Sequence, residues 1–248
     1  AFLDVGQGDS IYIEAPNGNQ VLVDGGSGRQ VLRALGEVMP FYDQSLDVVI
    51  ATHPDADHIG GLSFVLDRFA VGAVLEPGVS SETKIYQEFE RRASDGTHQH
   101  FLARRGMRLR LDRAVMLDIL FPDQDTTDWE TNRASIVARL VYDGTSFLLT
   151  GDSPIAIERY LISLDSAGLR STVLKPGHHG SRTSSAPEYV AAVGPQFSVI
   201  SAGLHNRYGH PHQEVLDTLN QAKIKIFRTA EQGTIIFHSD GTTLTAPR

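Results

Sequence analysis

Short β-branched runs and helical patterns alternate along the whole chain, and the alternation falls into two similar halves. The first half opens with strand-like segments at residues 2–5, 10–14 and 20–24, the last two joined by the turn Pro16-Asn17-Gly18-Asn19. A helix at 29–38, a strand at 46–52, a helix at 59–69, a strand at 73–76 and a helix at 83–93 follow. The second half repeats the plan, with strands at 99–103, 108–111, 115–121, 135–142 and 146–150. Helices at 154–167, 186–193 and 213–222 then alternate with strands at 172–175, 197–201 and 225–228, and a hairpin of 234–238 with 242–245 ends it. Antiparallel strands followed by αβ units, twice over, predict an α/β (α+β) chain of two mixed sheets face to face with helices outside. No linker, low-complexity tract or solenoid period divides the chain, so residues 1–248 read as one domain.

Composition narrows the chemistry. The absence of cysteine removes disulfides, thiolate metal sites and cysteine nucleophiles, so any metal must be held by histidine and carboxylate. A formal net charge of -8 argues against gripping nucleic acid through the overall field, although a local basic patch is compatible with it. Ten histidines and thirty acidic residues allow a cation site that the formal count leaves unneutralised. The charge-free stretch 189–206 is interrupted by Gly194, Pro195 and Gln196, so no membrane insertion is expected of this segment. Nothing at the start resembles a signal peptide, but a piece of a longer protein would look the same, and localisation stays open.

The densest chemical signal is Thr52-His53-Pro54-Asp55-Ala56-Asp57-His58-Ile59-Gly60-Gly61, placed where a buried strand gives way to a helix. Four possible ligands fall within six residues. Pro54 keeps His53 extended, which aims His53 and Asp55 to one side, while Asp57 and His58 begin the helix and face the same cavity. The plainer alternative is a capping role for Asp57, and it leaves the other three residues unexplained. Three more polar loops follow strands: Thr150-Gly151-Asp152, Lys175-Pro176-Gly177-His178-His179-Gly180-Ser181 and Asn206-Arg207-Tyr208-Gly209-His210-Pro211. Alone, Gly151-Asp152 reads as a turn, and adjacent His178 and His179 in an extended segment would point to opposite faces, leaving one of them for a metal. Loops at the ends of separate strands suggest one shared rim.

These motifs together resemble the metallo-β-lactamase superfamily, whose His-x-His-x-Asp-His signature is similar to His53–His58 with Asp55 in place of the second histidine. With Phe2-Leu3-Asp4-Val5-Gly6-Gln7-Gly8-Asp9-Ser10, Asp24-Gly25-Gly26 and Asn132 with Ser135, the set more closely resembles the C-terminal hydrolase domain of ComEC-type competence proteins, which are DNA-uptake channels. The resemblance covers essentially all 248 residues. It implies a four-layer αββα sandwich with a cleft for two divalent ions, Zn²⁺ or Mn²⁺, along one edge. It places His53 and Asp55 on one ion, Asp57 and His58 on the other, Asp152 between them, and His179 as the later histidine ligand with His178 close by. Asp9, Asp24, Asn132, Ser135, Lys175, Ser181, Asn206 and Tyr208 are then expected behind the ligands or against substrate. The implied partners are DNA and the membrane-channel portion of a parent protein at the bacterial inner membrane. Two departures stand out: Asp55 replaces a histidine, and no histidine occurs between His100 and His178, where Asn132 lies instead. The first position is therefore poorer in nitrogen, which suits Mn²⁺ better than Zn²⁺.

The expected activity is metal-dependent hydrolysis of phosphodiester bonds, with DNA favoured. Hydrolysis of a smaller phosphoester or other ester is the alternative enzyme, and a metal-poor DNA-binding or regulatory domain the alternative outside enzymology. No Gly-x-Ser-x-Gly elbow supports a serine hydrolase. Asp57 and His210 are the candidate catalytic groups, His210 acting on substrate or else capping a helix that Pro211 starts. Arg108 and Arg110 share one strand face and form a candidate DNA contact, for which a solvated face is the simpler reading. Gly25-Gly26-Ser27-Gly28 reads as tight turning after Asp24.

Overall fold

Five strands, β1 (Ile11–Glu14), β2 (Gln20–Val23), β3 (Ser45–Ile50), β4 (Ala70–Glu76) and β5 (Gln99–Leu102), lie side by side in that order in the computed structural model, which describes residues 1–247. β1 and β2 form the antiparallel hairpin, and β2 to β5 run parallel. Seven more strands, β6 (Arg108–Arg110), β7 (Val115–Phe121), β8 (Val137–Tyr142), β9 (Thr145–Leu149), β10 (Val173–Lys175), β11 (Phe197–Ile200) and β12 (Lys225–Arg228), make the second sheet. Its first four are antiparallel and its last four parallel, the switch falling at β9.

Side-chain alternation explains the stacking. Val115, Leu117 and Ile119 of β7 point inward against Ile11, Val21, Val23 and Ile50 of the first sheet and form the core between the sheets. A bulge between Ile119 and Phe121 turns Phe121 to the opposite face, where it joins the helix-side core. The first sheet's outer face carries α1 (Gln30–Val38), α2 (Ala56–Ile59), α3 (Leu62–Arg68) and α4 (Lys84–Ala93). The second carries α5 (Ile155–Asp165), α6 (Pro187–Val193) and α7 (Gln213–Gln221), and a short α8 (Thr229–Gln232) follows β12. Helical spacing selects the buried side: Val31, Ala34 and Leu35 face inward on α1, Val215 and Leu219 on α7. The αββα sandwich is therefore the observed architecture. No helix among the described residues is long and apolar enough to cross a membrane.

Four local expectations change. Residues 2–5 do not form a strand; Phe2 makes single bridges to Ile11 and Ile235, so a distant segment shares its backbone groups. The closing hairpin shrinks to β13 (His238–Ser239) against β14 (Leu244–Thr245), and α8 is an addition. The expected helix 59–69 is divided into α2 and α3, because Gly61 N–H donates to Gly26 O instead of continuing the helical ladder. Here two glycine loops interlock: a Cβ on Gly61 would lie 1.9 Å from the carbonyl oxygen of Gly25 and 2.7 Å from that of Gly28. Gly61→Ala is accordingly expected to destabilise the fold by about 1–3 kcal/mol through overpacking against backbone. Thermal unfolding checks it, and an unchanged midpoint would show that the loops have room to separate.

Candidate metal centre

Asp24 leaves β2 with a left-handed backbone, φ 59°, and turns its carboxylate under the sheet edge. There Oδ1 accepts from Thr52 N–H at 2.8 Å and Oδ2 from the Thr52 hydroxyl at 2.7 Å. The same Oδ2 lies 2.7 Å from His58 Nδ1, which fixes the ring and presents Nε2 to the cleft. Thr52 Oγ1 also sits 3.1 Å from Nδ1 of His53, presenting that ring's Nε2 as well. Asp55 occupies the N-cap position of α2, yet its side chain makes no capping bond, and Asp57 follows in the first turn. The capping role considered for Asp57 therefore does not hold, since the N-cap position belongs to Asp55.

The opposite wall comes from the second sheet. Asp152 follows β9, its N–H donating to Ser135 Oγ at 3.1 Å. Its two carboxylate oxygens divide the cleft: Oδ1 lies 3.2 Å from His58 Nε2, while Oδ2 lies 3.5 Å from His179 Nε2, 3.8 Å from His178 Nε2 and 3.9 Å from His53 Nε2. Asp55 Oδ2 is 3.8 Å from His53 Nε2, and Asp57 Oδ2 is 3.2 Å from His179 Nε2. His179 Nδ1 donates to the Ser201 carbonyl at 2.9 Å, so its Nε2 also faces inward. His178 and His179 are not extended. Both backbones are left-handed, φ 49° and 54°, inside a tight turn at Gly177–Gly180, and this brings both rings to Asp152 instead of parting them.

Burial and mutual charge tune these groups. Burial opposes a charged His58, but Asp152 and Asp24 overcome it and hold the imidazole well above the usual histidine range. Burial likewise opposes a charged His179, and Asp152 with Asp9 raises it to about 9. His53 is driven well below the usual range by burial and then by the His58 charge. Burial would raise Asp152, yet His179 and His58 hold it well below the ordinary carboxylate range. Beneath the centre, the buried Lys175 at the end of β10 pairs with Asp9 and donates to the Gly151 carbonyl at 2.7 Å. Asp9 in turn lies 3.3 Å from His179 Nδ1 and 3.9 Å from His58 Nδ1, behind the ligand-facing nitrogens.

The donor set fits divalent cations. His53 Nε2, His58 Nε2, His179 Nε2 and Asp152 Oδ1 are buried and find no hydrogen-bond partner among the described residues, although each lies within 4 Å of another member of the group. Unpaired polar atoms at this depth are costly unless a ligand satisfies them. Five carboxylates, Asp9, Asp24, Asp55, Asp57 and Asp152, share the cleft and its floor with one buried ammonium, that of Lys175, so a cation competes with the protons they draw onto the histidines.

At the rim, His210 is 9% exposed, its ring 5.2 Å from that of His178 and stacked at 5.6 Å on Tyr208. Asn206 builds this loop, accepting from His210 N–H at 2.9 Å and donating to its carbonyl at 2.6 Å. The capping role for His210 does not hold, because α7 begins at Gln213 with His212 at its N-cap. Burial, with His178 and His179 next, lowers His210 to about 4, so the ring is neutral at pH 7. Ser181 closes the histidine turn, its N–H donating to the His178 carbonyl and its Oγ accepting from Thr183. Asn132 sits in the turn before β8 with its Oδ1 buried and without a hydrogen bond among the described residues. Arg108 and Arg110 are exposed on β6, but Arg108 is engaged by Asp118 of β7. Two supporting residues escape the sequence reading: Thr52, and Gln7, whose Nε2 donates to Asp57 Oδ2 at 3.4 Å while its Oε1 accepts from Gly203 N–H. Gln7 lies inside the first motif, where its amide gave no hint of a partner fifty positions away.

A sequence profile of the metallo-β-lactamase superfamily matches residues 3–205. The chain belongs to the metallo-β-lactamase superfamily. Within it, the sequence is similar to ComE operon protein 3 of Bacillus subtilis (strain 168), 33% identical over 251 residues, which is 94% of this chain and 32% of that protein. Competence protein ComA of Neisseria gonorrhoeae is 30% identical over 238 residues, 94% of this chain and 31% of that protein. The chain thus spans about a third of the length of either relative. A metallo hydrolase of the archaeon Ignicoccus hospitalis has the same superfamily fold, with a TM-score of 0.56 at 17% identity over 91% of this chain and 93% of that one. In a superfamily member, a buried histidine and aspartate cluster of this kind is a site of the dinuclear metal type.

Proposed function

We propose that this superfamily member is a two-metal phosphodiesterase acting on DNA, the hydrolase part of a competence-type DNA-uptake protein. The observation that carries the reading is the convergence of unpartnered histidine nitrogens on the two oxygens of Asp152. Kinship with competence proteins supports DNA as the substrate. In this reading His53 and Asp55 hold one ion, with His178 in reach of the place that the missing third-motif histidine leaves open. Asp57, His58 and His179 would hold the other, with Asp152 in reach of both groups of ligands. Two divalent ions there would supply Lewis acidity and an activated water at neutral pH. The chain's own residues do the rest: Asp24 and the Ser201 carbonyl keep the His58 and His179 rings aimed, and Lys175 with Asp9 fixes the floor. Neutral His210 offers an N–H to a phosphoryl or leaving oxygen at the rim.

The engagement of Arg108 by Asp118 weakens the arginine stripe as a path for the phosphate backbone and favours a smaller phosphoester as the second reading. One experiment separates them. Protein purified without chelator is analysed for metal, then incubated with single-stranded DNA, duplex DNA and bis-p-nitrophenyl phosphate in Mn²⁺ or Zn²⁺. Shortened DNA supports the nuclease, cleavage of the small ester alone supports the second reading, and DNA retention without metal or cleavage leaves a binding domain. His210→Ala is expected to lower turnover by about 10²-fold with metal content unchanged, the cost of one hydrogen-bond donor to developing charge. Loss of metal in that variant would make His210 a ligand.

A further inference from the structure

A second group of potential ligands lies on the helix-covered face of the first sheet and shares no residue with the Asp152 centre. Glu76 ends β4 on the same face as Val74, and His100 of β5 stands directly beside Val74 in the parallel register, so the two side chains meet under α4. Glu90 comes down from α4 between the buried residues Phe89 and Ala93. One ligand atom from each of the three lies within 4.8 Å of the others. We infer that Glu76, Glu90 and His100 form a further divalent-cation site, of a nitrogen and two-carboxylate composition suited to Zn²⁺.

Two features point to a ligand. Glu76 is only 6% exposed and its carboxylate takes no hydrogen bond among the described residues, with His100 Nε2 3.1 Å from its Oε1. His100 Nε2 is itself inaccessible and completes no hydrogen bond among the described residues. The Ser94 hydroxyl donates to Glu90 Oε1 at 2.6 Å and lies 3.4 Å from His100 Nδ1, which leaves Nε2 as the ring atom for the cluster. The Glu76 and Glu90 carboxylates approach within 4.8 Å of each other, a repulsion that a dication between them relieves. Three protein ligands leave a fourth tetrahedral position for water. An ion here would tie the last turn of α4 to β4 and to β5, an edge strand that among the described residues pairs in the sheet with β4 alone.

The test uses the intact chain and Zn²⁺. Crystals soaked in zinc are expected to show anomalous difference density at the zinc edge among Glu76, Glu90 and His100, separate from density at Asp152. Zinc counted per chain after equilibrium dialysis should fall by one equivalent in Glu90→Gln and in His100→Ala, with circular dichroism unchanged. Glu90 is only partly buried, so its variant reports even where His100→Ala folds poorly. Zinc at the Asp152 centre with none at these three residues overturns the inference, as does an unchanged equivalent in both variants. Because the anomalous map reports the two places separately, failure here is distinguishable from failure of the phosphodiesterase reading.

Discussion

Asp152→Asn is expected to lower hydrolysis by at least about 10³-fold and to remove bound metal together with the rate. The size follows from position: among the described residues the Asp152 carboxylate is the one group that approaches His53, His58, His178 and His179 at once, between 3.2 and 3.9 Å from each. Asparagine keeps the shape but has one oxygen fewer and no charge, so it cannot serve two cations. Its volume also prevents the collapse that alanine invites in a site only 3% exposed. Metal analysis, near-ultraviolet dichroism and turnover of DNA and a small phosphodiester check it together. Near-full turnover with unchanged metal would remove Asp152 from the centre. An unfolded protein would show instead that this carboxylate mainly compensates the histidines and Lys175.

The strand pattern was legible because strand composition leaves its mark on sequence: β7 occupies the run expected at 115–121, and β10 falls within the run expected at 172–175. The loops that carry the candidate ligands were legible for a related reason, since each follows a strand whose end lies at one edge of the sandwich. Partnerships between distant residues were not. Residues 2–5 have strand composition, but their backbone partners are Ser10 and Ile235, which periodicity does not reveal. The left-handed turn at His178 and His179 runs against their intrinsic preference, and the surrounding hydrogen bonds impose it: His178 N–H donates to the Gly151 carbonyl and Ser181 N–H to that of His178. The loss of Arg108 to Asp118 depends on which residue of β7 stands opposite it, and register is a property of the folded sheet.

Lys175→Met is expected to cost the fold about 3–5 kcal/mol, the range for breaking a buried ion pair by removing one partner. At about 2–4 °C per kcal/mol for a chain of this size, the midpoint of thermal unfolding should fall by roughly 6–20 °C. Lys175 is 1% exposed and Asp9 is 1% exposed, so neither charge has solvent to turn to once the other is gone. Burial opposes the Lys175 ammonium, and Asp9 with Asp152 outweighs burial and raises it above the ordinary lysine value of 10.5. Burial opposes the Asp9 carboxylate too, and Lys175 with His179 lowers it below 3.8. The signs set the pH window. A raised lysine stabilises fully below 10.5 and loses that contribution as pH climbs through its folded value; a lowered aspartate stabilises above 3.8 and loses it as pH falls through its folded value. The gap between native protein and Lys175→Met should therefore be flat from about pH 5 to 10 and narrow on either side. Asp9→Leu with Lys175→Met should recover most of the loss, since an apolar pair of similar volume replaces a buried ion pair at little cost. A single variant as stable as the native chain would mean that His58 and His179, which also face Asp9, suffice to hold its charge without the lysine.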